Sequence, residues 1–312
     1  MRVMAIDIGT NSTLDLTADV RGSRLKVVER GIVRNRLGAD VGEDGMLSRE
    51  LLDNNRSILA DLAAKAQKLG CERIGAVGTH ALRRAVNAGE FTRIAEYCGV
   101  PMEVISDTEE ARLAWQGVFD IYQTDAPRWI SKADASHPLA LLDVGGGSTE
   151  LSVGDIKKLQ SSESIPIGGV ALGRRFFRHD PPAASEIQAA LEHVHEAFAD
   201  WKGYMGNLRR LVGIAGSIYA LACLTHSVTG FHPGAVEGRT LTNEAVNKWR
   251  ERLLKMDLLK RRALPSMPPA RAESIHAGAL IVREILEITG IAVMTTSERG
   301  LLYGLAMKLA SD

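Results

Sequence analysis

Two stretches of this 312-residue chain could carry the same chemistry: Ala5-Ile6-Asp7-Ile8-Gly9-Thr10-Asn11-Ser12 and Leu141-Leu142-Asp143-Val144-Gly145-Gly146-Gly147-Ser148. Both read apolar-apolar-Asp-apolar-Gly-x-x-Ser. An aspartate at the end of a strand can reach a divalent cation or its bound water, and hard Mg²⁺ prefers such oxygen ligands. The glycines let backbone N–H groups turn toward an anion, and Ser or Thr hydroxyls add donors. A third loop of similar make-up, Gly213-Ile214-Ala215-Gly216-Ser217, follows another apolar run. One Asp-x-Gly turn alone is an ordinary strand connection. Two copies and a related third point to phosphate bound with a cation.

Other chemistries find less support. No Gly-x-x-x-x-Gly-Lys-Ser/Thr loop occurs, which removes a P-loop nucleotidase, and no His-Glu-x-x-His spacing marks a zinc peptidase. His193 and His195 are two apart on a helical segment and point to different faces. His179-Asp180 is followed by Pro181-Pro182, which breaks any helix that would carry a histidine–aspartate metal motif. The three cysteines, Cys71, Cys98 and Cys223, are odd in number and far apart, fitting buried thiols of a reducing compartment. No long apolar run spans a membrane, and Asp7 sits inside what would be the core of an export signal, so a cytoplasmic protein is expected. With 45% hydrophobic and 24% charged residues the composition is that of a globular enzyme. The formal net charge of zero gives no general attraction to nucleic acid or membrane. Basic residues cluster locally at Arg83-Arg84, Arg174-Arg175 with Arg178, Arg209-Arg210 and Lys260-Arg261-Arg262. A polyanion would need some of these to line one groove.

The elements that must position these loops alternate. Strands are expected at 2–8, 14–20 and 25–30, the last two joined at Arg21-Gly22-Ser23. A helix over 47–69 places Leu51, Leu52, Ile58, Leu59, Leu62 and Ala66 on one face. Further strands are expected at 73–77, 102–105, 139–144, 150–153, 158–167, 211–214 and 292–294. Helices are expected at 81–88, 89–97, 109–122, 185–201, 218–224, 243–262, 271–288 and 300–309. This is an α/β pattern with largely covered sheets. It breaks between Gln123 and Pro138, giving expected domains of 1–124 and 125–312, with the last helix a candidate to pack back on the first. The loop repeat opens each half, so two homologous domains are expected to face each other with the two Asp-Gly loops meeting across a ligand cleft.

In order and spacing, four segments resemble the exopolyphosphatase/guanosine pentaphosphate phosphatase (Ppx/GppA) family. They are Ala5 to Ser12, Val77-Gly78-Thr79-His80-Ala81-Leu82-Arg83, Ile105-Ser106-Asp107-Thr108-Glu109-Glu110-Ala111-Arg112, and Leu142 to Glu150. Ile167 to Leu172, Ala215-Gly216-Ser217 and Pro269 to Ile275 fit the same pattern, so the resemblance spans essentially the whole chain. It implies two actin-like (ribonuclease H-like) domains of the acetate/sugar-kinase, heat-shock ATPase and actin (ASKHA) superfamily. The implied activity is Mg²⁺-assisted hydrolysis of terminal phosphate from inorganic polyphosphate, with guanosine pentaphosphate as the alternative substrate. A small-molecule kinase and a non-catalytic nucleotide- or polyphosphate-binding protein are more distant alternatives.

By this resemblance Glu110 is the catalytic base or water-positioning residue. Ser106 and Glu109 have capping-box spacing, which would put Glu110 in a helix's first turn, where the dipole favours an ionised carboxylate. Asp143 and Glu150, with Asp7, match the family's metal-associated carboxylates for Mg²⁺, with Mn²⁺ or K⁺ as further cations. Thr10, Asn11, Ser12, Arg83, Gly145, Gly146, Ser148, Gly216 and Ser217 match phosphate-contacting positions. Arg83 has the strongest case among the basic residues, because its planar fork can hold a phosphate bidentately. A homodimer is a further implication, as is a short form lacking a C-terminal HD-like domain. The chain departs from the family at Gly300-Leu301-Leu302-Tyr303-Gly304, where Leu302 and Tyr303 replace a charged pair, and at Leu14, where a polar residue is usual. The first departure puts in doubt a salt bridge from the last helix to the first domain.

Overall fold

Apolar residues dominate Arg2–Ile8, which forms β1, and the chain turns at Gly9 into β2 (Ser12–Arg21). A hairpin at Gly22, whose φ of 57° is left-handed, leads to β3 (Arg24–Arg34). The first helix, α1 (Arg49–Lys68), is capped by Ser48, whose side chain accepts from the Leu51 N–H. Its buried face is Leu51, Leu52, Asn55, Leu59, Leu62 and Ala66. Ile58 of the expected stripe is only partly buried, and buried Asn55 stands among the leucines. Then follow β4 (Arg73–Gly78), α2 (His80–Arg84), α3 (Ala88–Tyr97), β5 (Met102–Val104) and α4 (Asp107–Phe119).

The computed structural model describes residues 1–38, 45–119, 138–204, 208, 210–230 and 234–311. The expected boundary between 124 and 125 lies outside the described residues. The chain forms two units, Met1–Ala126 with Arg299–Asp312, and Pro127–Glu298.

The second unit contains β6 (Leu139–Val144), β7 (Thr149–Asp155), β8 (Lys158–Ile165), α5 (Gly169–Phe176), α6 (Ala184–Phe198), α7 (Trp201–Tyr204) and β9 (Arg210–Ile214). After these come α8 (Ala215–Thr225), β10 (Thr240–Thr242), α9 (Asn243–Leu254), α10 (Leu258–Arg262), α11 (Ile275–Thr289) and β11 (Val293–Thr296). The single helix expected over 243–262 is broken. Asp257 caps a new start by accepting from the Lys260 N–H at 2.9 Å, and Arg261 is drawn inward to Asp180 at 2.7 Å. The expected start at 271 moves to 275, because residues 268–274 are bonded as turns. α5 and β10 had no expected counterpart.

The sheets repeat the same wiring. In the first unit the order is β3-β2-β1-β4-β5, and in the second it is β10-β11-β9-β6-β7-β8. Set β6-β7-β8 on β1-β2-β3, β9 on β4 and β11 on β5, and the orders coincide apart from the added edge strand β10. Within each, the first three strands are antiparallel and the first pairs in parallel with the fourth. Each unit is thus an actin-like α/β fold on a mixed sheet. Among the described residues no helix is long and apolar enough to cross a membrane.

The last helix, α12 (Leu301–Ser311), packs in the first unit against α4, β1, β2 and β4. Leu302 and Tyr303, where the resemblance leads one to expect a charged pair, are buried at 7% exposure each beside Val3, Ala5 and Leu16. Burying such side chains stabilises by roughly 1.5–3 kcal/mol apiece. A salt bridge from this helix nevertheless exists further along, from Lys308 to Glu109 at 3.4 Å. The backbones of α4 and α12 touch. A β-carbon on Gly117 would strike the Gly300 carbonyl, and one on Gly304 the Leu113 carbonyl. Gly117→Ala is therefore expected to cost about 1–3 kcal/mol by overpacking, read as a lowered midpoint of thermal unfolding. A variant as stable as the parent would show that this contact does not hold α12.

Candidate active site

In the first unit the turn after β1 is set by register. Asp7 pairs with Leu14 and Ile8 with Thr13, and the Gly9 N–H donates to the Ser12 carbonyl at 3.1 Å. Asn11, Ser12 and Thr13 are buried. A bracket that sequence reasoning missed holds this turn in place. The Asn35 side chain donates to the Gly9 carbonyl at 2.9 Å and to the Thr13 hydroxyl at 3.0 Å. The Asn11 carbonyl accepts from the Asn35 N–H at 3.2 Å, and the Thr10 carbonyl accepts from Gly38 at 2.7 Å. Asn35 carries no periodic or motif signal. Its role comes only from the chain folding back after β3.

At the end of β4, the Thr79 N–H donates to the Ile8 carbonyl at 3.2 Å, so α2 starts beside the first turn. Arg83 on α2 then reaches α4. It donates through Nη1 to Glu110 Oε2 at 2.7 Å and to the Ile105 carbonyl at 3.1 Å, while Nη2 forms an ion pair with Asp107. Asp107 was not among the expected site residues. Its place in the first turn of a helix was the available signal. Half of the expected capping box forms: the Ser106 hydroxyl accepts from the Glu109 N–H at 3.2 Å. The Glu109 side chain instead grips Arg112 at 2.6 Å, which holds it below the usual carboxylate range.

Glu110 is different. Its side chain is 13% exposed, and burial pushes its carboxyl above the ordinary range while Arg83 pulls it back. Such a carboxylate is more basic than a solvated one and is fixed in orientation. Nearby His80 is pushed down to about 4, first by burial and then by Arg83 and Arg84, so it is neutral near pH 7.

In the second unit the corresponding turn has the same bond, from the Gly145 N–H to the Ser148 carbonyl at 3.0 Å. Here the register places Asp143 directly opposite Glu150 on the antiparallel pair β6–β7. Directly opposed side chains share a face with β-carbons about 5 Å apart, and like charges there repel. Glu150 is buried, and its Oε1 accepts from the Ser164 hydroxyl at 2.8 Å. Two hard oxygen donors on one face suit a divalent cation, which would relieve their repulsion. In the first unit Leu14 stands where Glu150 does in the second, so Asp7 has no carboxylate opposite it.

α5 backs the Gly145–Ser148 turn. Its Gly169, Val170 and Ala171 N–H groups donate to the Gly145 and Gly146 carbonyls at 2.9–3.0 Å. A β-carbon on Gly168 would lie 2.6 Å from the Gly146 carbonyl oxygen, so only glycine permits this seat. The third loop begins α8 with Ala215 at a φ of 68°, a left-handed conformation uncommon outside glycine. The Arg271 guanidinium covers Gly216, and Ser217 is buried. Arg271 is a further residue of this loop's surroundings that motif reading did not single out.

Each unit therefore gathers its own expected residues at the carboxyl edge of its parallel strands, where open α/β sheets bind ligands. Asp7, Thr10, Asn11, Ser12, Arg83 and Glu110 lie there in the first unit. Asp143, Gly145, Gly146, Ser148, Glu150, Gly216 and Ser217 lie there in the second. Within the first unit these can offer hydroxyls and a buried base, and within the second they can offer amides and hydroxyls to phosphate oxygens and paired carboxylates to a cation.

Comparison with known proteins points the same way. Residues 16–311 match the model of the Ppx/GppA phosphatase family. Exopolyphosphatase 2 of Mycobacterium tuberculosis is 33% identical over 326 aligned positions, covering 99% of this chain and 98% of that protein. The crystal structure of the Aquifex aeolicus member of the Ppx/GppA family superposes with a TM-score of 0.80 at 29% identity, covering 100% of this chain and 98% of its own. An exopolyphosphatase from Cytophaga hutchinsonii shares the fold, with a TM-score of 0.86 at 23% identity over 100% of this chain and 98% of its own.

Replacing Arg83 tests the electrostatics of the buried pair. In Arg83→Met the Glu110 carboxyl loses the cation that favours its charged form, so its titration should move further upward, read by side-chain ¹³C NMR. An unmoved or lowered titration would show that Arg83 does not hold the ionised form.

Proposed function

The chain belongs to the Ppx/GppA phosphatase family, and on that premise we propose that it releases terminal phosphate from inorganic polyphosphate with Mg²⁺ as its cation. Water attacks the terminal phosphorus, the bridging P–O bond breaks toward the shortened chain, and orthophosphate leaves. The observation that carries the reading is Glu110, a buried carboxylate of raised basicity fixed by an arginine at the start of a helix.

Glu110 accepts a hydrogen bond from the attacking water and takes its proton as the bond to phosphorus forms. Phosphoryl transfer has a loose transition state, so holding the water in line matters more than removing its proton early. The raised basicity still helps, because a stronger base takes a larger share of that proton. Arg83 positions Glu110 and keeps it ionised, and its remaining donors can meet a phosphate oxygen. The amides of the two Gly-x-x-Ser turns, with Thr10, Asn11, Ser12, Ser148, Gly216 and Ser217, grip the non-bridging oxygens without having to reorganise as charge develops. Asp143 and Glu150, with Asp7 assisting, would hold Mg²⁺, which when bound supplies charge neutralisation on the phosphoryl and leaving oxygens. The three cysteines are free thiols, which supports a reducing, cytoplasmic setting.

The test is phosphate release from polyphosphates of several lengths and from guanosine pentaphosphate, with and without Mg²⁺. Turnover should need the cation and favour polyphosphate; a clear preference for guanosine pentaphosphate would overturn the substrate assignment. Glu110→Gln should lower kcat by about 10²–10⁴-fold and leave polyphosphate affinity nearly intact by calorimetry. Unchanged turnover would remove Glu110 from the chemistry.

A further inference from the structure

Asn55 is out of character on α1. It stands one helical turn from Leu51 and from Leu59, on the face that also carries Leu52, Leu62 and Ala66, and it is 1% exposed. A leucine there would complete the apolar stripe. A buried amide costs free energy unless its groups are hydrogen-bonded. The Asn55 Nδ2 donates to the Leu51 carbonyl at 2.9 Å and to the Asn35 carbonyl at 3.3 Å. The first bond stays within the helix. The second leaves it.

Asn35 is buried as well, and its side chain is fully used. Its Nδ2 donates to the Gly9 carbonyl at 2.9 Å and the Thr13 hydroxyl at 3.0 Å, and its Oδ1 accepts from the Leu37 N–H at 3.2 Å. Both amides are fixed in orientation by partners that cannot change roles. The Gly9, Leu51 and Asn35 carbonyls only accept, and the Leu37 N–H only donates. Hydrogen bonds therefore run from the middle of α1 through Asn35 to both ends of the turn that carries Thr10, Asn11 and Ser12.

The segment that Asn55 grips reaches this turn under constraint. The Asn35 N–H donates to the Asn11 carbonyl at 3.2 Å, and the Gly38 N–H donates to the Thr10 carbonyl at 2.7 Å. Between them Arg36 takes a φ of 58°, which is left-handed, and a β-carbon on Gly38 would overlap the Thr10 side chain. Unfavourable backbone of this kind persists only where the surroundings hold it. In the second unit, by contrast, the N–H groups of α5 back the Gly145–Ser148 turn directly.

We propose that Asn55 is a positioning residue for the reaction. Through Asn35 it holds the Gly9–Ser12 turn in the one arrangement in which Thr10, Asn11 and Ser12 meet phosphate oxygens without reorganising. The inference rests on the hydrolase reading above and adds to it a buried residue that acts through another.

The experiment compares the parent with Asn55→Leu, which fills the stripe but cannot donate, using tripolyphosphate. With Mg²⁺, kcat should fall by about 10–100-fold, the scale on which small displacements far from the chemistry act. The calorimetric Kd for tripolyphosphate in metal-free buffer should rise by only about fivefold, from lost preorganisation. Amide hydrogen exchange separates positioning from loss of stability. Gly9 should exchange about tenfold faster through local opening, while Gly145 and the midpoint of thermal unfolding stay close to the parent's. Asn55→Ala, which cannot overpack the stripe, should give the same split between the two amides. Parental kcat in both variants, or Gly9 and Gly145 speeding up together, would overturn the positioning role. So would a lowered kcat with Gly9 exchange unchanged. A parent that releases no phosphate would sink the hydrolase reading, and the tripolyphosphate Kd then decides. Its rise together with faster Gly9 exchange would keep Asn55 as the residue that sets the turn, and an unmoved Kd would remove it.

Discussion

A strand that ends in aspartate and turns at once through glycine to serine is the constraint on which both halves of this protein are built. The Gly9 N–H to Ser12 carbonyl bond and the Gly145 N–H to Ser148 carbonyl bond close the same turn. Each turn joins the central antiparallel strands of its sheet, so it fixes the register of the pair and therefore which side chains face each other. With the Gly9 and Gly145 N–H groups spent on closing the turns and several of the turn carbonyls taken by neighbouring segments, each loop has few ways to move and its other amides keep their direction. Around Gly146 the backing is so close that a methyl group at position 168 would not fit. Rigid donors of this kind bind an anion with little loss of entropy.

The two halves use this shared scaffold for different purposes. In the first unit the position opposite the aspartate is Leu14, and the buried carboxylate lies at the neighbouring strand ends, where Arg83 holds Glu110. In the second the opposed position is Glu150, which gives a paired set of carboxylates. The same frame thus carries different residues at its opposed position, an apolar one in the first unit and a carboxylate in the second. Burial of Glu110 costs the protein some stability, since a desolvated carboxylate is unfavourable, and the arginine offsets part of that cost.

The last helix is held mainly by shape and apolar contact. Leu302 and Tyr303 bury in an apolar cluster with β1 and β2, Arg30 and Arg299 lie over the tyrosine ring at 5.9 and 5.7 Å, and glycines let the α4 and α12 backbones touch. The Lys308 to Glu109 pair adds a contact at the other end of the helix.

The amino-acid sequence alone determined the α/β alternation, the duplicated turn, most element positions and the candidate residues on each loop. These rest on short-range chemistry: alternation marks strands, a helical stripe marks α1, and glycine with aspartate marks a turn. Tertiary structure decided the rest. The bracket by Asn35, the pairing of Arg83 with Asp107 and Glu110, the opposition of Asp143 and Glu150, the cover of Gly216 by Arg271 and the break at 255–257 all join residues whose closeness depends on packing and register. Such contacts follow from which backbone surfaces can approach and which charges are left in low dielectric, and neither leaves a periodic mark in the chain.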